Sequence, residues 1–251
     1  MARIKYLKTE ETAAKAVNHI LISEQPLIGV KCLGSCVGEK GGRITLVVVG
    51  CWDGNVYIFD TQKCPNIMYA GQLLRLLQSA EVLKVFANCD SDHTTLSQQF
   101  AVSIQHFYDA QIAHAIIMER SGLPARRLTL EQLCETYKQT IPSSNSNLQR
   151  LLHEDMNFWA RRPVSRDMLE LAAAHVRPLV PGIFVATDRS MPTDSDQWFT
   201  HQCEENRRRR LPLYAPPVNV HQAIKHCCTC RNCDKTRGQL MGLYSSNNPD
   251  V

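Results

Sequence analysis

The sequence predicts an α/β domain built on a mixed sheet, an antiparallel meander joined to parallel strands, with helices on its flanks. Three observations predict it. Leu27–Cys32, Ile44–Val49 and Val56–Phe59 read as short strands, the second a β-branched run, and turn-forming stretches separate them. From Gly71 onward, short apolar runs alternate with helical patterns, the signature of strands joined through helices. A chain of 251 residues with 44% hydrophobic content can bury the core of one domain of about 200 residues without disulfides.

Each element follows from local chemistry. Thr9–Ile22 places Ala13, Ala16, Val17 and Ile20 at helical spacing. Gly34–Gly42 is a turn-rich link between the first two strands, and Asp53-Gly54-Asn55 is a turn before the third. A helix is expected over Gly71–Gln78, a strand over Leu83–Phe86, a helix over Asp92–Phe100 and an extended segment over Val102–Phe107. Asp109 is an N-cap candidate for a helix to Glu119. Thr129-Leu130-Glu131-Gln132 is a capping-box pattern for a helix running to about Thr140. Pro142–Asn147 reads as a polar loop, followed by helices over Leu148–Trp159 and Arg166–Arg177, the latter weakened by Pro178 and Pro181. Beyond Thr187 the regular pattern fades. The expected organisation is one domain over residues 1–190 and a basic, Cys-rich tail over 191–251, with Met191–Asp196, Arg207–Pro217 and Ser245–Val251 irregular.

Charge is unevenly distributed. Met1–Gln202 carries 20 Lys/Arg against 20 Asp/Glu, whereas Cys203–Gln239 has eight basic residues opposed only by Glu204, Glu205 and Asp234. A polyanion would feel the strongest pull there. No run of 18 apolar residues predicts a membrane span. Met1–Glu11 is charged and is not expected to be a secretory signal. A cytoplasmic or nuclear setting is the expectation, with most of the eleven cysteines free thiols or metal ligands.

The segments in order resemble the RNase D-like branch of the DEDD 3′-5′ exonucleases. Leu27–Asp60 is similar to that family's opening meander, and Lys84–Asp92 to the segment bearing its third acid. Gln99–Val102 and Phe107–His114 resemble the following strand and helix, while Arg162-Pro163 and Met168–Val176 resemble the last motif. The resemblance covers roughly residues 9–187. It implies a ribonuclease H-like fold. The domain is then expected to begin near residue 9, leaving no room for the Lsm-like N-terminal domain of some relatives.

The family's chemistry is hydrolysis of a phosphodiester by two divalent cations about 4 Å apart, which require carboxylate oxygens. By the resemblance, the Asp-x-Glu pair falls on Lys31 and Leu33, and the Tyr and Asp of the last motif fall on Leu171 and His175. Asp92 alone keeps its acid, and the chain contains no Asp-x-Glu anywhere. One carboxylate cannot offset two divalent ions, and Lys31 is expected to pair with Asp92 instead, a solvated strand-end lysine being the other reading. Leu33 and Leu171 read as core residues and His175 as a packed histidine. The loss of acids is most similar to the Exd-type proteins. That resemblance implies an inactive domain that dimerises, binds RNA in the piRNA pathway and works with a Tudor-domain partner.

Other candidates lie outside these motifs. Arg207, Arg208, Arg209 and Arg210 form a run followed by Tyr214, suited to phosphate contact with an aromatic platform. A solvated linker or a nuclear import signal are its other readings. Arg161, Arg162 and Arg166 form a second basic cluster, either lining the substrate groove or lying at a helix-end surface. His226, Cys227, Cys230 and Cys233, with His221 as a further ligand, contain half of a zinc pattern. All these ligands are local in sequence, so free thiols are the main expectation.

The sequence therefore reads as a pseudo-exonuclease without catalytic cofactor. It would bind single-stranded RNA as a homodimeric subunit of an RNA-processing complex, in the cytoplasm (RNA granules included) or the nucleus, and not at a membrane. Two alternatives stand beside it. One is an active exoribonuclease with an altered metal site using Asp92, His175 and Asp90. The other is a protein adaptor without RNA binding.

Overall fold

In the computed structural model, which describes residues 3–140 and 146–208, six strands form one mixed sheet in the order β1-β4-β3-β2-β5-β6. The strands are β1 (Ile4–Leu7), β2 (Leu27–Ser35), β3 (Arg43–Cys51), β4 (Val56–Asp60), β5 (Leu83–Phe86) and β6 (Phe107–Asp109). β2, β3 and β4 are the predicted antiparallel meander, with β2 paired to β3 and β3 to β4. β5 and β6 add in parallel on one side, and β1 adds in parallel to β4 on the other.

Helices cover both faces. On one lie α1 (Glu10–Leu21), α2 (Leu73–Gln78) and α3 (Cys89–Phe100); on the other lie α4 (Ala110–Arg120), α5 (Leu130–Thr136) and α7 (Arg166–Ala174). Strand alternation divides the core between them. Ile28, Val30 and Cys32 of β2 pack with α1 and α3, while Leu27 and Leu33 pack with α4 and α7. Cap chemistry is as the sequence implies: Thr9 caps α1, Thr129 forms a complete capping box with Gln132, and Ser165 caps α7.

Regular structure runs beyond Thr187, where the sequence pattern fades. After α6 (Ser146–Glu154) and α7, α8 spans Phe184–Ser190 and α9 spans Asp196–Arg208. Phe199 and Cys203, four residues apart on α9, are buried in the core. Packed structure therefore crosses residue 191. The Leu148–Trp159 expectation resolves into α6, a turn and a short 3₁₀ segment at Phe158–Ala160. Within Val102–Phe107 only Phe107 enters a strand.

Arg166–Ser190 is long and apolar enough by length and composition to cross a bilayer. In this fold 56% of its apolar window is buried inside the domain, and the helix breaks at Val180, whose φ and ψ are −131° and 127°. The seven described cysteines are free thiols, and Cys32, Cys89, Cys134 and Cys203 are buried.

Candidate functional site

The site forms where β2 outruns its neighbour. β5 pairs only with Leu27, Ile28 and Gly29, so the second half of β2 has no strand on that side. A backbone N–H left there would be unsatisfied at real cost. The first turn of α3 fills the gap: Asp92 Oδ2 accepts from the Cys32 N–H at 3.3 Å, and Asp92 Oδ1 accepts from Lys31 Nζ at 2.6 Å.

α3 is fixed in register by three further bonds. The Gly38 N–H donates to Thr95 Oγ1 at 2.7 Å, the Ile44 N–H donates to Gln99 Oε1 at 2.7 Å, and Gln99 Nε2 donates to the Ile44 carbonyl. Gly38 has φ +92° and lies against Ser91, where a Cβ would fall 2.7 Å from the Ser91 side chain. Only glycine fits that approach.

The Lys31–Asp92 pair is unequally buried, with side chains 26% and 1% exposed. Burial disfavours the Lys31 charge, but the Asp92 carboxylate more than offsets it and holds the ammonium above the ordinary lysine value. Burial holds Asp92 above the ordinary carboxylate value, although Lys31 and the Cys32 N–H pull it down. The Lys31 side-chain nitrogen thus occupies the Asp92 oxygen that the Cys32 N–H leaves open.

The opposite wall comes from α7. Gly29 and Gly50 are register partners across β2 and β3, and a Cβ on either would lie 3.0–3.1 Å from Val176. This paired bare patch lets the end of α7 sit against the sheet. It sets His175, the C-cap of α7, close enough to Lys31 to feel its charge. Burial first, then Lys31, pushes His175 down to about 4, so it is neutral near pH 7. Its Nε2 is buried without a hydrogen-bond partner.

Trp159 faces His175 edge-on, with ring centroids 6.1 Å apart, and its carbonyl accepts from Thr45 Oγ1 at 2.9 Å. Leu33 and Leu171 are buried in the same core cluster as Trp159. The structure thus gathers Lys31, Leu33, Asp92, Leu171 and His175 into one region. Trp159 is a member that sequence reading missed.

This donor set does not fit a pair of hard divalent cations. Two leucines offer no lone pairs, and Asp92 is engaged by an ammonium and an amide. Asp90 is buried and near enough for its charge to raise Asp92, yet a second aspartate on the same helix turn does not replace acids on β2 and α7. Among the described residues, no three His, Cys, Asp or Glu side chains converge in a metal-holding arrangement.

The basic residues are not equivalent. Arg162 is a structural clamp: Nη2 and Nε donate to Asp60 at 2.7 and 2.9 Å, and Nη1 donates to the carbonyls of Trp159 and Arg161. Asp60 is fully buried and also accepts from Tyr6 Oη and from the Lys63 N–H. Burial alone would raise its carboxyl, but Arg162, Tyr6 and the Lys63 N–H hold it below the ordinary range. Arg161 is half exposed, donates to Asp155 at 2.7 Å and lies over the Phe158 ring. Arg166 is exposed at the first position of α7.

The backbone of Arg207 and Arg208 closes α9. Just before it, Asn206 Nδ2 donates to Asp109 Oδ2 at 3.4 Å, and the same oxygen accepts from the Cys89 N–H at 2.8 Å. The last turn of α9 therefore lies beside the first residue of α3, three positions before Asp92. Arg209, Arg210, His221, His226, Cys227, Cys230 and Cys233 lie outside the described residues.

Known proteins share this architecture. The profile of the 3′-5′ exonuclease family matches residues 38–182, a span that begins after β2 and so excludes Lys31 and Leu33. The piRNA biogenesis protein EXD1 of Homo sapiens is 28% identical over 177 residues, covering 68% of this chain and 34% of that protein. Its Xenopus laevis counterpart is 29% identical over 172 residues, covering 66% of this chain and 38% of that protein. The chain thus spans about a third of the length of these curated relatives. Trypanosoma brucei RNase D in complex with RNA U12 superposes with a TM-score of 0.66 at 21% identity, over 90% of this chain and 79% of that one. Escherichia coli RNase D superposes with a TM-score of 0.62 at 17% identity, over 89% of this chain and 55% of that one. At these identities the structural likeness establishes the RNase D-like fold.

Proposed function

The chain belongs to the 3′-5′ exonuclease family, and we propose that it is a catalytically inactive member that binds single-stranded RNA and serves as a subunit of an RNA-processing complex. One observation carries the reading: the only acid kept at the family's metal positions, Asp92, is neutralised by Lys31 at 2.6 Å. Metal-assisted hydrolysis needs carboxylates that gather positive charge, and this site already holds its cation covalently. The named role of the EXD1 relatives supports a place in a piRNA-type pathway. We extend this to a cytoplasmic homodimer with a Tudor-domain partner, on family resemblance alone.

RNA affinity would come from exposed Arg166 and from the positive charge of the Arg207–Arg210 run, while Arg162 holds the fold. Incubating the full chain with end-labelled single-stranded RNA and manganese is expected to leave the strand length unchanged. A gel shift on the same preparation should weaken steeply as salt rises. Shortening of the strand, or tight two-site manganese binding by calorimetry, would replace this reading with that of an active nuclease. Intact RNA with no shift at any salt would instead favour an adaptor that does not bind RNA.

A further inference from the structure

A second polar cleft, of about 610 Å³, opens beyond β4, at the C-terminal end of β1. Tyr6 and Lys8 line it from β1 and the residue after it, Gln62 and Lys63 from the turn after β4, and Arg162 to Val164 from the segment before α7. Behind its Tyr6 and Arg162 walls lies fully buried Asp60. That carboxylate accepts from both arms of Arg162, from Tyr6 Oη and from the Lys63 N–H, so its charge is matched and its acceptor sites are occupied.

The walls carry two cations without a counterion. Lys8 and Lys63 are exposed, and neither forms an ion pair among the described residues. The Lys8 ammonium is held over the Tyr6 ring at 5.4 Å, which limits its freedom without neutralising it. Two unmatched ammonium groups flanking a concave surface with no acid among its lining residues make a site for an anion.

The geometry points to a phosphate-binding subsite at Lys8 and Lys63 that takes the phosphodiester backbone of single-stranded RNA. Its position supports a polymer ligand. Leu33, Leu46 and Asp60 are register partners across β2, β3 and β4. Asp60 is therefore two strand spacings, about 10 Å, from Leu33, and the Lys31–Asp92 pair lies farther along the same sheet, on the far flank of β2. A strand lying across this edge of the sheet would contact both regions. The inference rests on the RNA-binding reading given above and adds to it residues outside both arginine clusters.

The test uses the full chain and the variants Lys8→Gln, Lys63→Gln and the pair, with a labelled oligouridylate titrated across a potassium chloride series. Both side chains are exposed, so melting temperatures should be unchanged and folding can be verified. Each lysine lost is expected to flatten the plot of log affinity against log salt by about 0.7, and the pair by about 1.4. Wild-type binding with an unchanged slope in the double variant overturns the subsite and leaves the RNA-binding reading intact. If the wild type binds no RNA, that reading fails, and the subsite is judged with pyrophosphate and a mononucleotide. Amide shifts at Lys63 that vanish in the double variant retain a site for a free phosphate compound, and no response to either probe removes it.

Discussion

Lys31 Nζ and Asp92 Oδ1 lie 2.6 Å apart, bridging the open flank of β2 and the first turn of α3. The two partners are unequally exposed, 26% for Lys31 and 1% for Asp92, and the asymmetry fixes the outcome of removing either. Lys31→Met leaves a buried, unpaired carboxylate and should destabilise the domain by about 3 kcal/mol. Asp92→Asn leaves a lysine that can reach water and should cost less. Urea denaturation of both variants checks the order.

Carboxylates can be placed at the positions where the family resemblance expects them. Lys31→Asp, Leu33→Glu and His175→Asp, combined, would surround Asp92 with three further carboxylates. This variant is expected to bind manganese by calorimetry, and the wild type is expected to show no tight two-site binding. Carboxylate repulsion should lower its melting temperature without metal, and manganese should raise it again.

His175 provides a pH signature. Its value falls from an ordinary 6.5 to about 4 in the folded chain, so between those two pH values the unfolded chain binds more protons. Stability should therefore rise with pH through that window, by about 3 kcal/mol from this residue, and be fully present above it. His175→Leu should flatten the acid limb of a stability–pH curve. A histidine ring proton that titrates near pH 6.5 in the native spectrum would contradict the burial described.

Arg162 and Arg166 should separate in two assays. Arg162→Ala removes the cation from buried Asp60 and is expected to cost about 3 kcal/mol. Arg166→Ala, at an exposed helix start, should stay within about 0.5 kcal/mol and flatten the salt dependence of RNA binding by about 0.7. Thermal melts and the salt titration read the two effects separately.

Much of this was legible in the residues. The meander is written in short strand-like runs parted by turn residues, and Thr129 and Asp109 announce the helices they cap. β1 was not legible: Ile4–Leu7 is four residues long with a lysine inside, and it exists through pairing with β4 some fifty positions later. α9 was hidden for a related reason. It buries Phe199 and Cys203 in an otherwise polar helix, too thin a stripe to show as periodicity. At the site, the Lys31–Asp92 pair could be read by family resemblance, whereas the Trp159 ring beside His175 depends on the tertiary path of Phe158–Ala160. Arg162 looked like a phosphate ligand because sequence displays a charge but conceals the buried aspartate, 102 residues away, that engages it.

Asp109 accepts from Gln111 and Ile112 at the start of α4, from Cys89 at the start of α3 and from Asn206 near the end of α9. One carboxylate thus ties three helices drawn from more than a hundred residues of chain, and α9 cannot lift away without stripping Asp109 of a donor. In hydrogen exchange the protected amides at Cys89, Gln111 and Ile112 should open with one shared free energy, as a single cooperative unit. A lesion in α9 would then register at the threshold of α3, three residues from Asp92.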